Sequence, residues 1–342
     1  SAVESPAAQF DAASYLSGDY PKLPEDGPAY SLSIGHAMQE STESHKMLLA
    51  LKDAVEKYSD GKITITIYPN SQLGSDSEMI ASCVAGDMDM VLQSGSTHAT
   101  FVPETVIFDI PFLFSGYDIE KIESVLTDSK FRDLYNQANE DGGLVCLMLR
   151  AGTDSMNLTS NKPVTSMEDL KGLKIRTMND PYQIAAMEAL GAAVTPMSYS
   201  EVFTSLQTKV IDGQENPCQN IWTDKFYEVQ DYMTLTKHSY TVQIIGISEA
   251  YFQTLPEDVQ QILIEEGHNL ELRNREELEA IDNAQLEELK KVMDVYELSD
   301  EEYEAFRDIA ATSWDAAKEA MGDEYFDLLM SEVEKAEAAL KN

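Results

Sequence analysis

Lys209-Val-Ile-Asp-Gly-Gln-Glu-Asn-Pro-Cys-Gln-Asn220 runs from an apolar stretch through Gly213 into a dense cluster of hydrogen-bonding side chains, closed by Pro217. Polar clusters at the ends of strands are where α/β folds build ligand sites. Taken alone, the segment reads equally well as a tight turn with solvated caps. Its neighbours in the chain decide between the two.

Just upstream, residues 143–149 form an apolar strand and Ser166-Met-Glu-Asp169 caps a short helix. Residues 172–176 make a strand, 181–190 a helix, and 194–197 lead into a helix over 200–207. The first half follows the same plan. A strand over 30–34 ends at Gly35-His36-Ala37, and Met47, Leu48, Leu51, Val55 and Tyr58 recur at helical spacing. Ile63, Ile65 and Ile67 alternate with threonines in a half-buried strand stopped by Pro69-Asn70. A helix over 76–85 and a buried strand over 88–92 follow. Strand and helix alternating through short links predict βαβ units and a largely parallel sheet. From the capping box Thr254-Leu-Pro-Glu257 onward the chain reads as almost wholly helical. Leu270, Leu278, Ile281, Leu286 and Leu289 form one apolar stripe, on a helix long enough to bridge two lobes.

A chain of 342 residues is too long for one small core and fits two α/β domains. No apolar run reaches the roughly 18 residues of a membrane span. The formal charge of −37 argues against nucleic acid and against an anionic membrane surface as partners. Much of the acid lies in helical stretches, where it serves solubility. An acidic protein that captures an anion needs a local positive centre, which draws attention to isolated arginines. Cys83, Cys146 and Cys218 form no disulfide framework, and neither they nor the histidines have metal-ligand spacing. No cofactor and no metal are expected. Ser1 opens a polar stretch without the basic start and apolar middle of a secretory signal, and residues 1–28 read as a flexible linker. The remainder divides into 29–152 plus 241–280 as one lobe and 153–240 plus 281–342 as the other. Nucleophile elbow, phosphate loop and dinucleotide fingerprint are all absent from the sequence, so no catalysis is expected.

The chain resembles the solute-binding proteins of TRAP (tripartite ATP-independent periplasmic) transporters from Ser31 to about Asp258. The resemblance is carried by Tyr68-Pro-Asn-Ser-Gln-Leu-Gly74, Gly86-Asp-Met-Asp-Met90 and Asp109-Ile-Pro-Phe-Leu-Phe114. It continues in Asp169-Leu-Lys-Gly-Leu-Lys-Ile-Arg176, Ser200-Glu-Val-Phe203, Asp212-Gly-Gln-Glu-Asn-Pro217 and Tyr227-Glu-Val-Gln230, in the family's order. It implies an α/β two-lobe periplasmic-binding-protein fold with a long bridging helix and a helical C-terminal tail. It also implies an extracytoplasmic protein, in the periplasm or lipid-anchored at the cell surface. Such a protein works as a monomer and hands a small organic acid to membrane permease subunits after its cleft closes. The alternative is a sensor subunit that presents its closed form to a membrane receptor.

Arg176 ends an apolar strand, and its planar fork suits a carboxylate held by two parallel hydrogen bonds. The resemblance implies that it clamps the substrate carboxylate, facing Asn216, which can donate and accept at once. Tyr199 reads either as an aromatic wall of the site or as core. Asn179 matches a polar contact in relatives, and Trp222 either packs beneath the site or reaches a ring-bearing ligand. From the first lobe come Asp76, Gln93, Ser94, His36 and Ala37, each of which reads alternatively as the cap of a helix or turn. Some keto-acid-binding relatives hold a cation on the counterparts of Glu215 and Gln214, which this sequence does not demand. One departure concerns specificity. Many relatives carry a second arginine where this chain has Met156 or, with the Gly-Thr pair shifted, Asp154. A monocarboxylate then fits better than ligands needing two guanidinium contacts; with Asp154 in the pocket, a zwitterion fits too.

Overall fold

Runs of period two become strands, and the strands divide between two sheets. The computed structural model describes residues 22–340 except 109, 115, 116, 118 and 272–274. The side chains at 106, 119, 120, 153, 154, 275–278, 316, 320, 337 and 340 also fall outside it. The linker expected over 1–28 therefore lies largely outside the described residues. In chain order the strands are β1 (Tyr30–Gly35), β2 (Ile63–Tyr68), β3 (Met90–Ser94), β4 (Leu144–Ser155), β5 (Asn157–Ser160) and β6 (Lys174–Arg176). They continue as β7 (Ala193–Val194), β8 (Gly213–Asn216), β9 (Tyr232–Leu235), β10 (Tyr240–Ser248) and β11 (Asp294–Glu297). One sheet has the order β2-β1-β3-β10-β4, the other β11-β9-β5-β8-β6-β7.

Each sheet is largely parallel with a single strand reversed. In the first it is β10, antiparallel to β3 and β4; in the second it is β5, antiparallel to β8 and β9. The cause is topological. β4 leaves the first sheet and becomes β5 of the second after Met156 alone, and β9 returns to the first sheet as β10 across residues 236–239. Neither passage contains a helix, and each strand that enters its new sheet this way, β5 and β10, runs against both of its neighbours there. The two passages bind one another: the Met156 N–H donates to the Ser239 carbonyl at 2.7 Å, and the His238 N–H to the Met156 carbonyl at 3.3 Å. This paired crossing forms the floor between the lobes.

Helices cover both faces of each sheet. On the first lobe, Leu48, Leu51 and Val55 of the Glu43–Tyr58 helix and Val259, Ile262 and Leu270 of the Glu257–Glu271 helix share one core with Ile34, Ile65 and Leu92. The opposite face packs Phe108, Phe131 and Tyr135 against Leu149 and Ile244. In the second lobe, Leu173, Ile175, Ala186 and Met187 lie on one face, and Val202, Ile211, Ile221 and Met233 on the other. The expected bridging stripe spans two described helices, Glu257–Glu271 and Arg275–Val292. The second touches β4 of one sheet, then the Cys218–Thr223 helix and β11 of the other, burying Leu289 in the second lobe.

The tail departs from the lobe boundaries read from the sequence. The Asp300–Ala310 helix buries Phe306 and Ala310 in the second lobe. The Trp314–Met321 and Asp323–Leu340 helices instead pack on the first, where Ala317, Met321, Leu329 and Val333 join Phe131 and Tyr135. An amphipathic stripe needs an apolar partner, and sequence position does not say which lobe offers one. Phe112 crosses in the opposite direction. It adjoins Ile110 and Leu113 of the first lobe's core, yet its ring sits among Leu158, Val164 and Leu170 of the second. Its φ of 63° is unusual for a bulky residue, a strain held by this packing.

Candidate functional site

The ends of the strands bring polar side chains from both lobes to one cavity of about 50 Å³. That is room for roughly four water-sized groups, each needing about 10–15 Å³. The first lobe supplies Ala37 and Met38 after β1, Asp76 at the start of the Asp76–Ala85 helix, and Leu92, Gln93 and Ser94 on β3. Thr241 and Gln243 come from β10, and Met156 from the crossing itself. The second lobe adds Met178 after β6, Tyr199, Asn216 at the end of β8, and Asn220. Ala37 and Tyr199 also border an outer chamber of about 390 Å³, rimmed by Gln39, Asn70, Ser71, Asp224 and Lys225.

Arg176 lies beneath this lining, only 1% exposed. Strand pairing fixes it: β6 runs beside β8 with Arg176 opposite Gln214. Its Nε and Nη2 both donate to the Met197 carbonyl, at 3.0 and 2.8 Å. Its Nη1 is buried without a hydrogen-bond partner among the described residues. A charged donor left in that state costs more than the about 1–3 kcal/mol of an ordinary unsatisfied group. Burial pulls the guanidinium pKa below its usual value, against the opposing attraction of Glu215 and Asp76.

β8 presents its residues alternately, as a strand must. Gln214 and Asn216 share one side: Asn216 Nδ2 donates to Gln214 Oε1 at 2.5 Å, and Gln214 Nε2 donates to Thr159 Oγ1 at 3.0 Å. Glu215 points to the other side, where His238 Nε2–H donates to its Oε2 at 2.7 Å. The other ring nitrogen of His238 lies 2.7 Å from Thr236 Oγ1, and its ring centroid lies 6.1 Å from that of Phe112. Glu215 thus connects the strand carrying Asn216 to the crossing between the lobes.

Several contacts span the cleft. Asp76 of the first lobe lies within electrostatic reach of Arg176 of the second; burial raises its pKa, opposed first by Arg176. Gln183 Nε2 donates to Ser96 Oγ at 3.1 Å. Gln39 donates to Asp224, whose other oxygen takes the Tyr199 hydroxyl, and Asn220 Nδ2 donates to that hydroxyl at 2.9 Å. Burial raises the pKa of Asp224 as well.

Of the residues singled out in the sequence, Ala37, Asp76, Gln93, Ser94, Met156, Tyr199 and Asn216 meet at the cavity, and Arg176 lies under it. Three stand apart. His36 is buried against His45, with Nε2 and Nδ1 3.0 Å apart, and burial followed by His45 lowers its pKa to about 4. Asn179 is exposed, and Trp222 stacks on Tyr227 with centroids 5.1 Å apart, away from the cavity. The Asp154 side chain lies outside the described residues. Met38, Leu92 and Met178 escaped sequence reading because apolar residues at strand ends look like core. Asn220 was quoted within the opening stretch without a role. Thr241 and Gln243 carried one usable signal, polar residues two apart in an otherwise apolar strand. Among the described residues no three His, Cys, Asp or Glu side chains cluster as metal ligands, and no helix is long and apolar enough to cross a membrane.

Residues 34–320 match the family model described as bacterial extracellular solute-binding protein, family 7. Over 313 residues the chain is 31% identical to the 2,3-diketo-L-gulonate-binding periplasmic protein YiaO of Escherichia coli (strain K12), covering 92% of this chain and 91% of that one. Its structure is similar to that of the sugar acid binding protein DctPAm from Advenella mimigardefordensis in complex with galactonate. The TM-score is 0.85 at 29% identity, over 91% of this chain and 100% of the other. A TRAP periplasmic solute binding protein from Desulfovibrio salexigens with bound orotic acid gives a TM-score of 0.84 at 27% identity, over 90% and 99% of the two chains. The chain therefore belongs to family 7 of the bacterial extracellular solute-binding proteins and is a two-lobe solute-binding protein of the TRAP type.

Proposed function

We propose that this protein captures a compact monocarboxylate or zwitterion between its lobes, with Arg176 as the carboxylate clamp and Asn216 as its partner. The observation that carries this reading is the buried Nη1 of Arg176, which lacks a hydrogen-bond partner among the described residues while both other nitrogens of the fork are committed to Met197. A ligand carboxylate supplies that partner in a site shielded from water, where the contact is strong. Asn216, Tyr199, Gln93 and Ser94 complete the polar lining. Met156, in the crossing, offers no second cation, which disfavours ligands with two carboxylates. The ligands named for the relatives, diketogulonate, galactonate and orotic acid, are all organic acids. The lobes close about the paired passages at Met156 and residues 236–239. The closed form then docks, as a monomer, on membrane permease subunits outside the cytoplasm, free in the periplasm or tethered to the surface by a lipid anchor.

A thermal-shift panel of monocarboxylates, dicarboxylates, sugar acids and amino acids tests this. At about a hundred times its dissociation constant a ligand adds about 2.7 kcal/mol of stability, a rise of some degrees. A carboxylate hit that disappears in Arg176→Ala is the expected result. A hit of equal size in that variant removes Arg176 from the site.

A further inference from the structure

Asp76 is the charged side chain on the cavity wall, and it belongs to the first lobe. Arg176 belongs to the second and feels the attraction of Asp76. The cleft therefore has a negative pole on one side and a positive pole under the other. The groups between them carry no net charge. Met38, Met156 and Met178 give a soft apolar wall with only weak acceptor sulfurs, and Gln93 and Asn216 give neutral polar contacts. The further charges nearby include one base, Arg150, buried across the β10–β4 pair from the lining residue Gln243 with its Nη1 on Met47 Sδ, and two acids. Glu215 lies behind Arg176, tied to His238, and Asp224 lies beyond Tyr199, tied to Gln39.

This charge pattern matters once a ligand enters. An anion that reaches Arg176 brings its charge close to Asp76, in a site where burial weakens screening. A second carboxylate at the far end would meet Asp76 directly. A cationic nitrogen there would instead meet a half-buried carboxylate, and the ligand's dipole would oppose that of the site. Buried charges are tolerated when paired.

We propose that the cleft selects a zwitterion: a compact amino acid whose carboxylate goes to Arg176 and whose cationic nitrogen is received by Asp76. This rests on the clamp reading above and narrows its substrate class. The apolar methionine wall carries the short carbon chain between the two charged ends. Asp76 is then the residue that separates zwitterions from hydroxy acids and dicarboxylates.

The test is calorimetric titration with two size-matched series: alanine, lactate and propionate; and 4-aminobutyrate, butyrate and succinate. In at least one series the zwitterion binds about tenfold or more tighter than its uncharged-headed counterpart, and succinate binds more weakly than 4-aminobutyrate. Asp76→Asn, close to isosteric, brings the ratio of zwitterion to uncharged-headed acid down toward one. Asp76→Ser does the same and guards against an artefact of one substitution, with far-UV circular dichroism verifying the fold of both. Three outcomes overturn the proposal: preference for the dicarboxylate or hydroxy acid, an unchanged ratio in both Asp76 variants, or no zwitterion bound in either series. The clamp is judged separately by Arg176→Ala. If that variant loses whichever acid binds, Arg176 keeps its role although the zwitterion preference has failed. If it loses none, the clamp itself is wrong.

Discussion

Gly213 shows how tightly the site depends on one missing methyl group. β8 lies between β5 and β6, and Gly213 stands opposite Ser160 on one side and Ile175 on the other. A Cβ at this position would come 2.3 Å from the Thr159 carbonyl oxygen, 3.0 Å from Ile175 Cδ1 and 3.3 Å from Ser160 Cα. Ordinary contact begins near 3.4 Å, so the strand must shift by about 1 Å, and the nearest obstacle is backbone that cannot rotate away. Overpacking of this kind costs about 1–3 kcal/mol, and Gly213→Ala belongs at the upper end. At roughly 2–4 °C per kcal/mol for a unit the size of one lobe, Tm falls by about 4–12 °C. Because β8 carries Asn216 and flanks the strand of Arg176, ligand-induced stabilisation falls with it. Gly246→Ala is the matched control. Gly246 also lies in a central strand, β10, but the atoms nearest to its added methyl are side-chain carbons of Leu144, the closest at 3.6 Å. Its stability should stay within about 0.5 kcal/mol of wild type. Urea and thermal unfolding followed by circular dichroism compare the two. Equal losses in both variants, or none in Gly213→Ala, would refute the close-approach reasoning.

Asp180 caps the Pro181–Ala189 helix through Oδ1, while its Oδ2 is buried without a partner among the described residues. Burial raises its pKa from 3.8 to about 7. The folded state therefore keeps this proton to higher pH than the unfolded chain. The stability it contributes is complete below about 3.8 and disappears as pH rises through about 7. Asp180→Asn keeps the cap and should flatten that slope, read as urea midpoints from about pH 5 to about pH 8; an unchanged slope rejects the assignment. Arg132 Nη2 and Glu271 Oε1 form a buried ion pair at 2.8 Å, and the same oxygen accepts the Leu149 N–H at 2.7 Å. Glu271→Gln leaves a buried guanidinium unpaired and should cost about 3 kcal/mol, and a loss below about 1 kcal/mol would contradict this. All three cysteines are buried, and burial pushes the thiols of Cys83 and Cys146 up to about 12. A thiol reagent should therefore label the native protein slowly and react with all three cysteines once urea unfolds it, whereas fast native labelling would argue against that burial.

What the sequence revealed, and what it hid, follow from the range of the forces involved. The Ile63–Ile67 alternation and the cap at Ser166 are set by neighbours in the chain, so periodicity and side-chain chemistry expose them, whereas the polar run Gly213–Asn216, which alone reads equally well as a turn, is a buried strand. The reversed strands β5 and β10 depend on which sheet the chain enters after Met156 and after Leu235, and no local pattern records that choice. The same holds for the last two helices, whose stripes fit the first lobe although the preceding helix fits the second. Within the site, charged and amide residues at strand ends were visible as candidates. Met38 and Met178 were not, since a thioether facing a cavity and one facing the core look alike in a sequence. Trp222 and His36 failed for the converse reason: each found a nearer partner, Tyr227 and His45, before it could reach the cleft.

The role of Arg176 is tested most directly by calorimetric titration of Arg176→Lys against wild type, using the carboxylate that gives the largest thermal shift. Lysine keeps the charge but loses the planar set of donors, so it cannot hold the Met197 carbonyl and a ligand carboxylate together. If the clamp operates, affinity falls by about a hundredfold or more while circular dichroism stays that of the wild type. Affinity within about threefold of wild type would mean that the carboxylate is held elsewhere, and the cleft would need another centre of recognition.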